Sequence, residues 1–229
     1  MSATISNLPV GSNTANPTKA LRRTAAKGTT VDVLADVYDE RNNIVIWQRP
    51  ISDDLDSAIS AFLGETQALE ATLVVTPGHV EEQIRLATGK TLPETLARDL
   101  SDLVEKFCFL FELERAGMRL ATLDRAMCPR FHVDRVPCRL ITTYSGIGTE
   151  WLSHDAVDRS KLGPGSNGLA DHESGIYGDD NDINRLARGE VALLKGELWP
   201  ENEGAGLVHR SPAVAPGEQR LLLTLDMAD

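Results

Sequence analysis

Within Cys128-Pro-Arg-Phe-His132-Val-Asp134-Arg-Val-Pro-Cys138 an imidazole and a carboxylate stand two residues apart, bracketed by two thiols. Side chains of an extended strand alternate between its faces, so His132 and Asp134 are expected to project into the same space. A second imidazole, His209 in Gly206-Leu-Val-His209-Arg-Ser-Pro, follows 77 residues after the first, far enough for a barrel to wind round and bring it opposite the pair. Two histidines and one carboxylate on one face would hold a divalent metal and leave coordination positions open. The thiols offer a different donor set. Cys128, His132 and Cys138, in a Cys-x3-His-x5-Cys spacing, would supply soft ligands suited to a closed zinc tetrahedron. The plainest alternative is a hydrogen bond between His132 and Asp134 inside a sheet, with the thiols buried.

The order His-x-Asp, distal His209 and, 11 residues later, Arg220 resembles that of the Fe(II)/2-oxoglutarate-dependent oxygenases, over roughly Met118 to Leu225. The resemblance implies a double-stranded β-helix in which His132, Asp134 and His209 hold Fe(II). It also implies that Arg220 clamps the far carboxylate of 2-oxoglutarate through two parallel hydrogen bonds, the strength of a planar guanidinium. Tyr144 stands where a tyrosine of that family often reaches the cosubstrate, and Gly189-Glu190-Val-Ala-Leu-Leu-Lys195-Gly196 matches the turn and strand before the distal His. Members often carry Ser or Thr two residues beyond the Arg, where this chain has Leu222. The whole chain is also similar to a bacterial family, domain of unknown function 1826, through the segments CPRFHVDRVPCRL, TYSGIGTEWL, LLKGE and GLVHRSP. Genes of that family tend to lie near zinc-responsive GTPase metallochaperones, which implies a link to metal supply and a metallochaperone partner. The two functions implied are an Fe(II)/2-oxoglutarate oxygenase with a small-molecule or protein substrate, and an accessory, non-catalytic zinc-binding protein of metal homeostasis using the same pocket.

The elements that must position these residues are legible from periodicity. Asn43-Ile-Val-Ile-Trp47 and Thr72-Leu-Val-Val-Thr76 have the β-branched texture of strands. Ser52-Asp-Asp-Leu starts a helix that carries Leu55, Ile59 and Phe62 to Gly64, and a shorter surface helix fits Val80 to Leu86. The clearest helix runs from about Pro93 to Ala116, with Leu96, Leu100, Leu103, Val104, Phe107, Leu110 and Phe111 on one stripe. Beyond Gly117 come short apolar runs: Met118 to Leu123, Phe131 to Val133, Arg139 to Tyr144, Glu190 to Leu194, Leu207 to His209 and Arg220 to Leu225. The fold class expected is therefore α+β and β-rich, a jelly-roll or cupin-like core over 118–229 with helical elaborations over 29–117 packed on its outer sheet. Residues 1–28 read as a mobile tail, and Leu162 to Asn184, polar and glycine-rich, as a long loop.

Composition narrows the rest. The 229 residues fit one domain, and 34 acidic against 23 basic residues give a net charge of −11, which repels nucleic acid and anionic lipid. No apolar run suits a membrane span and no signal peptide is visible, so the expected compartment is the cytoplasm. Three cysteines exclude a disulfide framework as the source of stability. Cys108, within Phe107-Cys-Phe-Leu-Phe111, reads as core packing. His79, His154 and His172 read as solvent-facing, with His154 close enough to Glu150-Trp151 to approach a site mouth; Trp151 and Trp199 read as core or pocket wall.

Overall fold

The computed structural model describes residues 22–65 and 68–228. Its elements in chain order are strand β1 (Thr24–Gly28), a 3₁₀ helix (Val31–Tyr38), β2 (Asn42–Trp47), α1 (Asp53–Glu65), β3 (Glu70–Val75), α2 (Val80–Thr88), α3 (Glu94–Leu110), β4 (Ala116–Leu123) and β5 (Cys138–Ser145). The second half continues with β6 (Glu150–Leu152), α4 (Asp171–Ser174), β7 (Ile183–Arg185), β8 (Val191–Lys195), β9 (Val208–Arg210) and β10 (Arg220–Met227). Seven strands form one sheet in the order β1-β2-β8-β5-β10-β4-β3, and three form a second in the order β7-β6-β9.

Strand alternation divides the large sheet into two chemically distinct faces. Leu140, Tyr144, Val191, Leu193, Leu221, Leu223 and Leu225 share a hydrophobic cluster with Ile59 of α1 and with Leu96, Leu100 and Phe107 of α3. Their neighbours Ile44, Ile46, Ile141, Ala192, Leu194 and Leu222 form a second cluster with Trp151, Leu186 and Leu207. Each fully buried Leu or Ile contributes about 1.5–3 kcal/mol of transfer free energy, so slipping a strand by one residue would expose a whole row of them. This alternation fixes which side chains enter the space between the sheets.

Three expectations need correction. β1 lies inside the stretch assigned to the tail: it pairs in parallel with β2 through backbone hydrogen bonds, which a sequence without apolar periodicity can still make. The rest of that stretch, 1–21, lies outside the described residues. α3 stops at Leu110 rather than Ala116, because Glu112 turns left-handed (φ 54°) and the Leu113 amide closes onto the Cys108 carbonyl at 2.8 Å. The segment from Leu162 to Asn184 is not structureless. It holds 3₁₀ turns at Gly163–Ser166 and Asp180–Asp182, helix α4 and the start of β7, with Asp179 and Asp182 capping the second turn. Among the described residues no helix is long and apolar enough to cross a membrane.

Candidate metal centre and a buried arginine

His132 and His209 meet through a single antiparallel β-bridge, each amide donating to the other's carbonyl at 3.0 Å. The Phe131–Val133 run is thus one bridge rather than a full strand. Its position is secured on both sides. Asp171 of α4, buried, accepts from the Phe131 amide at 2.9 Å and from Arg210 Nη1 at 2.9 Å, tying the 162–184 segment to the chain that carries both histidines. On the other side the Glu197 amide donates to the Asp134 carbonyl at 2.9 Å. Gly196 is required here, since a Cβ would fall 2.1 Å from the Val136 carbonyl oxygen and 2.7 Å from that of Asp134. That contact gives the LLKGE segment a physical reason.

The three expected ligands come together. His132 Nε2 lies 3.5 Å from Asp134 Oδ1, His209 Nε2 lies 3.4 Å from Asp134 Oδ2, and the donor atoms of the trio are all within 4.8 Å of one another. Ligands about 2.1 Å from a shared ion are separated by roughly 3.0–3.4 Å at octahedral to tetrahedral angles, so the spacing fits a first-row divalent metal. His132 Nδ1 donates to the Arg130 carbonyl at 2.9 Å and His209 Nδ1 approaches the Leu207 carbonyl at 3.3 Å, which leaves both Nε2 lone pairs for the metal. His209 is buried, whereas His132 is half-buried and borders a groove of about 640 Å³ walled by Val133, Leu162 and Pro164.

Asp134 is held by a residue that spacing did not single out. Arg139 Nη1 donates to Asp134 Oδ2 at 2.7 Å, while its Nε and Nη2 bind both oxygens of Asp226 at 2.8 Å. Burial would raise the Asp134 pKa, but the two histidines and Arg139 outweigh it and hold the carboxylate far below its ordinary value. Burial pulls His132 down, and its contacts with Asp134 and the Arg130 carbonyl more than offset this, leaving it raised. Asp134 is therefore ionised at neutral pH.

Arg220 is fully buried, and among the described residues it has no carboxylate partner. Nε donates to the Ile147 carbonyl at 2.6 Å; the terminal nitrogens reach only hydroxyls, Thr143 Oγ1 at 3.3 Å, Thr149 Oγ1 at 3.4 Å and Ser211 Oγ at 3.5 Å. Burial lowers its pKa from the ordinary guanidinium value to about 10, only partly countered by Glu150. Gly146, at φ +80°, makes room: a Cβ there would sit 2.9 Å from Arg220 Cγ and 2.6 Å from the Gln219 carbonyl oxygen. So TYSGIGTEWL contributes two of the three hydroxyls, the carbonyl and the glycine that surround the guanidinium, and GLVHRSP contributes Ser211. Thr143, Thr149 and Ser211 supply the hydroxyl chemistry that Leu222 lacks.

Three expected site residues, Tyr144, Cys128 and Cys138, do not join. Tyr144 faces the helices, where its hydroxyl donates to Asp99 Oδ2 at 2.6 Å and Asp99 also takes a bidentate pair from Arg49. It lies one position from Thr143 and hence on the opposite side of the strand from Arg220. Cys138 is on that helix side too, in the same hydrophobic cluster, and burial pushes its thiol pKa up. Cys128 is exposed, and its carbonyl accepts from the Ser211 amide at 2.9 Å. Among the described residues the cluster able to hold a metal consists of His132, Asp134 and His209, without either thiol.

A family model described as a protein of unknown function (DUF1826) matches residues 28–226. No curated protein matches the sequence. Among solved structures, the rice dioxygenase for auxin oxidation superposes with a TM-score of 0.53 at 12% identity, covering 90% of this chain and 83% of that one. At that identity the likeness is one of fold. The 2-oxoglutarate complex of the Arabidopsis thaliana dioxygenase for auxin oxidation 1 gives 0.47 at 9% identity, covering 90% and 92%. A Pseudomonas putida prolyl-4-hydroxylase gives 0.43 at 14%, covering 85% and 96%.

Proposed function

This chain belongs to the DUF1826 family, and we propose that it works as an Fe(II)- and 2-oxoglutarate-dependent oxygenase. The observation that carries this reading is the approach of His132, Asp134 and His209, two imidazoles and one carboxylate without a thiol. That donor set matches an iron site that keeps positions open for further ligands. Fe(II) with 2-oxoglutarate supplies, when bound, the oxidation of a substrate by oxygen, with the keto acid giving succinate and carbon dioxide. Arg139 keeps Asp134 ionised and aimed, and the carbonyls of Arg130 and Leu207 keep the Nε2 atoms free of protons. Arg220, charged and without a carboxylate of its own among the described residues, binds the far carboxylate of the keto acid, with the hydroxyls of Thr143, Thr149 and Ser211 beside it. The groove beside His132 admits the substrate.

The test is elemental analysis joined to a binding spectrum. Protein purified without added metal should hold iron, and His132→Ala or His209→Ala should lose it. Anaerobic Fe(II) and 2-oxoglutarate should give the visible charge-transfer band of a chelated keto acid. Zinc that survives loss of His209 but not of both Cys128 and Cys138 would replace this reading with the accessory zinc-binding one. Bound Fe(II) with neither the band nor succinate formation would remove the cosubstrate.

A further inference from the structure

A second concentration of unpartnered polar atoms lies outside the metal centre. Arg22, Arg23, Asn43, Trp151, His154 and Asp155 line a cavity of about 200 Å³. Arg23 is only 7% exposed; its Nε donates to Asn202 Oδ1 at 2.9 Å and its Nη2 to the Glu201 carbonyl at 2.7 Å. Its Nη1 is buried with no hydrogen-bond partner among the described residues, and so are Trp151 Nε1 and His154 Nδ1. Trp151 is 4% exposed. A guanidinium nitrogen and an indole nitrogen can only donate, so whatever satisfies them must accept.

The charge around the cavity points the same way. Asp155, the carboxylate in its wall, is paired with Arg22. Arg23 has no carboxylate among the described residues. Arg159 stands near enough to act on both Arg23 and His154, and its own Nε is buried without a partner among the described residues. Lys27 Nζ lies 5.8 Å from the Trp151 ring centroid. Burial holds His154 below its ordinary pKa, and Arg159, Arg23 and Arg22 add to this against Asp155, so the imidazole reports a locally positive field in a chain of net charge −11. His154 is thus half-buried in a cavity wall rather than solvent-facing.

We propose that this cavity is a binding site for the oxyanion of a small molecule, a carboxylate or a phosphate, held by Arg23 Nη1 and Trp151 Nε1. Trp151 is paired with His209 in the β6–β9 register, so the cavity is walled by the strand next to the one that carries His209. The site does not depend on the oxygenase reading, because its donors differ from those around Arg220.

The experiment follows the indole N–H signals of the three tryptophans in the uniformly ¹⁵N-labelled full chain. Trp47→Phe and Trp199→Phe identify the Trp151 signal by elimination. Sodium acetate and inorganic phosphate are titrated separately, at ionic strength matched with sodium chloride. The Trp151 signal should move downfield and saturate, with the tighter of the two probes identifying the class of anion. Arg23→Gln should weaken that binding about tenfold or more, as expected for loss of a charge-assisted hydrogen bond. Arg220→Leu should leave it unchanged. Should Arg23→Gln fail to fold, Arg23→Lys keeps the charge without the fork and should still weaken binding. A Trp151 signal unmoved by both anions, a non-saturating drift marking an adventitious ion only, or a response kept in a folded Arg23 variant but lost in Arg220→Leu would each overturn the proposal.

Discussion

Replacing Arg220 by Met separates an anchor waiting for an anion from a structural cation. The fall of its pKa from the ordinary guanidinium value to about 10 corresponds to roughly 3 kcal/mol against the charged form, at about 1.4 kcal/mol per pH unit. Because the folded-state pKa of this base is lowered, the cost is fully present below about pH 10 and relieved only as pH rises from there toward the ordinary guanidinium pKa. Arg220→Met removes that cost but strands the Ile147 carbonyl, which takes back about 1–3 kcal/mol. The two nearly cancel, so the ligand-free variant should melt within about 4 °C of the native protein. Breaking a true buried ion pair would instead cost about 3–5 kcal/mol. On the proposed oxygenase reading, saturating 2-oxoglutarate at about 100 times its Kd should add roughly 2.7 kcal/mol to the metal-loaded native protein, about 5–10 °C in a domain of this size. Differential scanning fluorimetry under anaerobic conditions reads both numbers. The reasoning fails if Arg220→Met melts far lower without ligand, or if 2-oxoglutarate raises its melting temperature as much as it raises that of the native protein.

Arg139→Met should leave the three ligands in place yet weaken metal affinity about 10–100-fold, measured by chelator competition, because Asp134 loses the partner that aims it. Tyr144→Phe should leave the 2-oxoglutarate shift untouched while lowering unfolding free energy by about 1–2 kcal/mol in urea titration, since Asp99 loses its phenolic donor. Lys195 is almost fully buried and burial lowers its pKa from 10.5 to about 8. The native protein should therefore gain stability relative to Lys195→Met as pH rises from about 8 to 10.5, and chemical melts across that window check the sign. Truncation before Arg22 should leave the melt intact, whereas truncation before Thr30 should lower it, because only the second removes β1 and the Arg23 contacts to Glu201 and Asn202.

The candidate metal ligands were legible because the chemistry of a metal site constrains residue type. His-x-Asp and a distal His are recognisable at any separation that a barrel can close. The helical stripe of α3 and the strands β2, β3, β4, β5, β8 and β10 were legible for the parallel reason that burial imposes a period. β1, β6 and β7 were not, since a short strand held by backbone hydrogen bonds leaves no apolar period in its side chains. Arg139 and Asp171 escaped for a related reason. Asp171 acts across 39 and 40 residues of chain, and Arg139 joins Asp134, five residues away, to Asp226, 87 residues away; a lone charged residue looks alike whether it is solvated or clamped.

The misplacement of Tyr144 shows where analogy of position gives way to strand geometry. Along β5, Arg139, Ile141 and Thr143 face the second sheet, while Cys138, Leu140 and Tyr144 face the helices. Asp134 is reached from the first set and Asp99 from the second, so Tyr144 and Cys138 cannot serve the same pocket as Thr143 without turning the strand over. The register of β5 with β10 shifts between Leu221 and Leu222, beside the bend at Gly146–Ile147 that follows β5. There the chain leaves regular pairing, Gly146 yields space to the Arg220 side chain and the Ile147 carbonyl takes its Nε proton. A buried guanidinium needs such a defect, because an unbroken sheet has already committed every backbone acceptor to its neighbours. The irregularity at the end of β5 is thus the feature that allows the fold to bury Arg220.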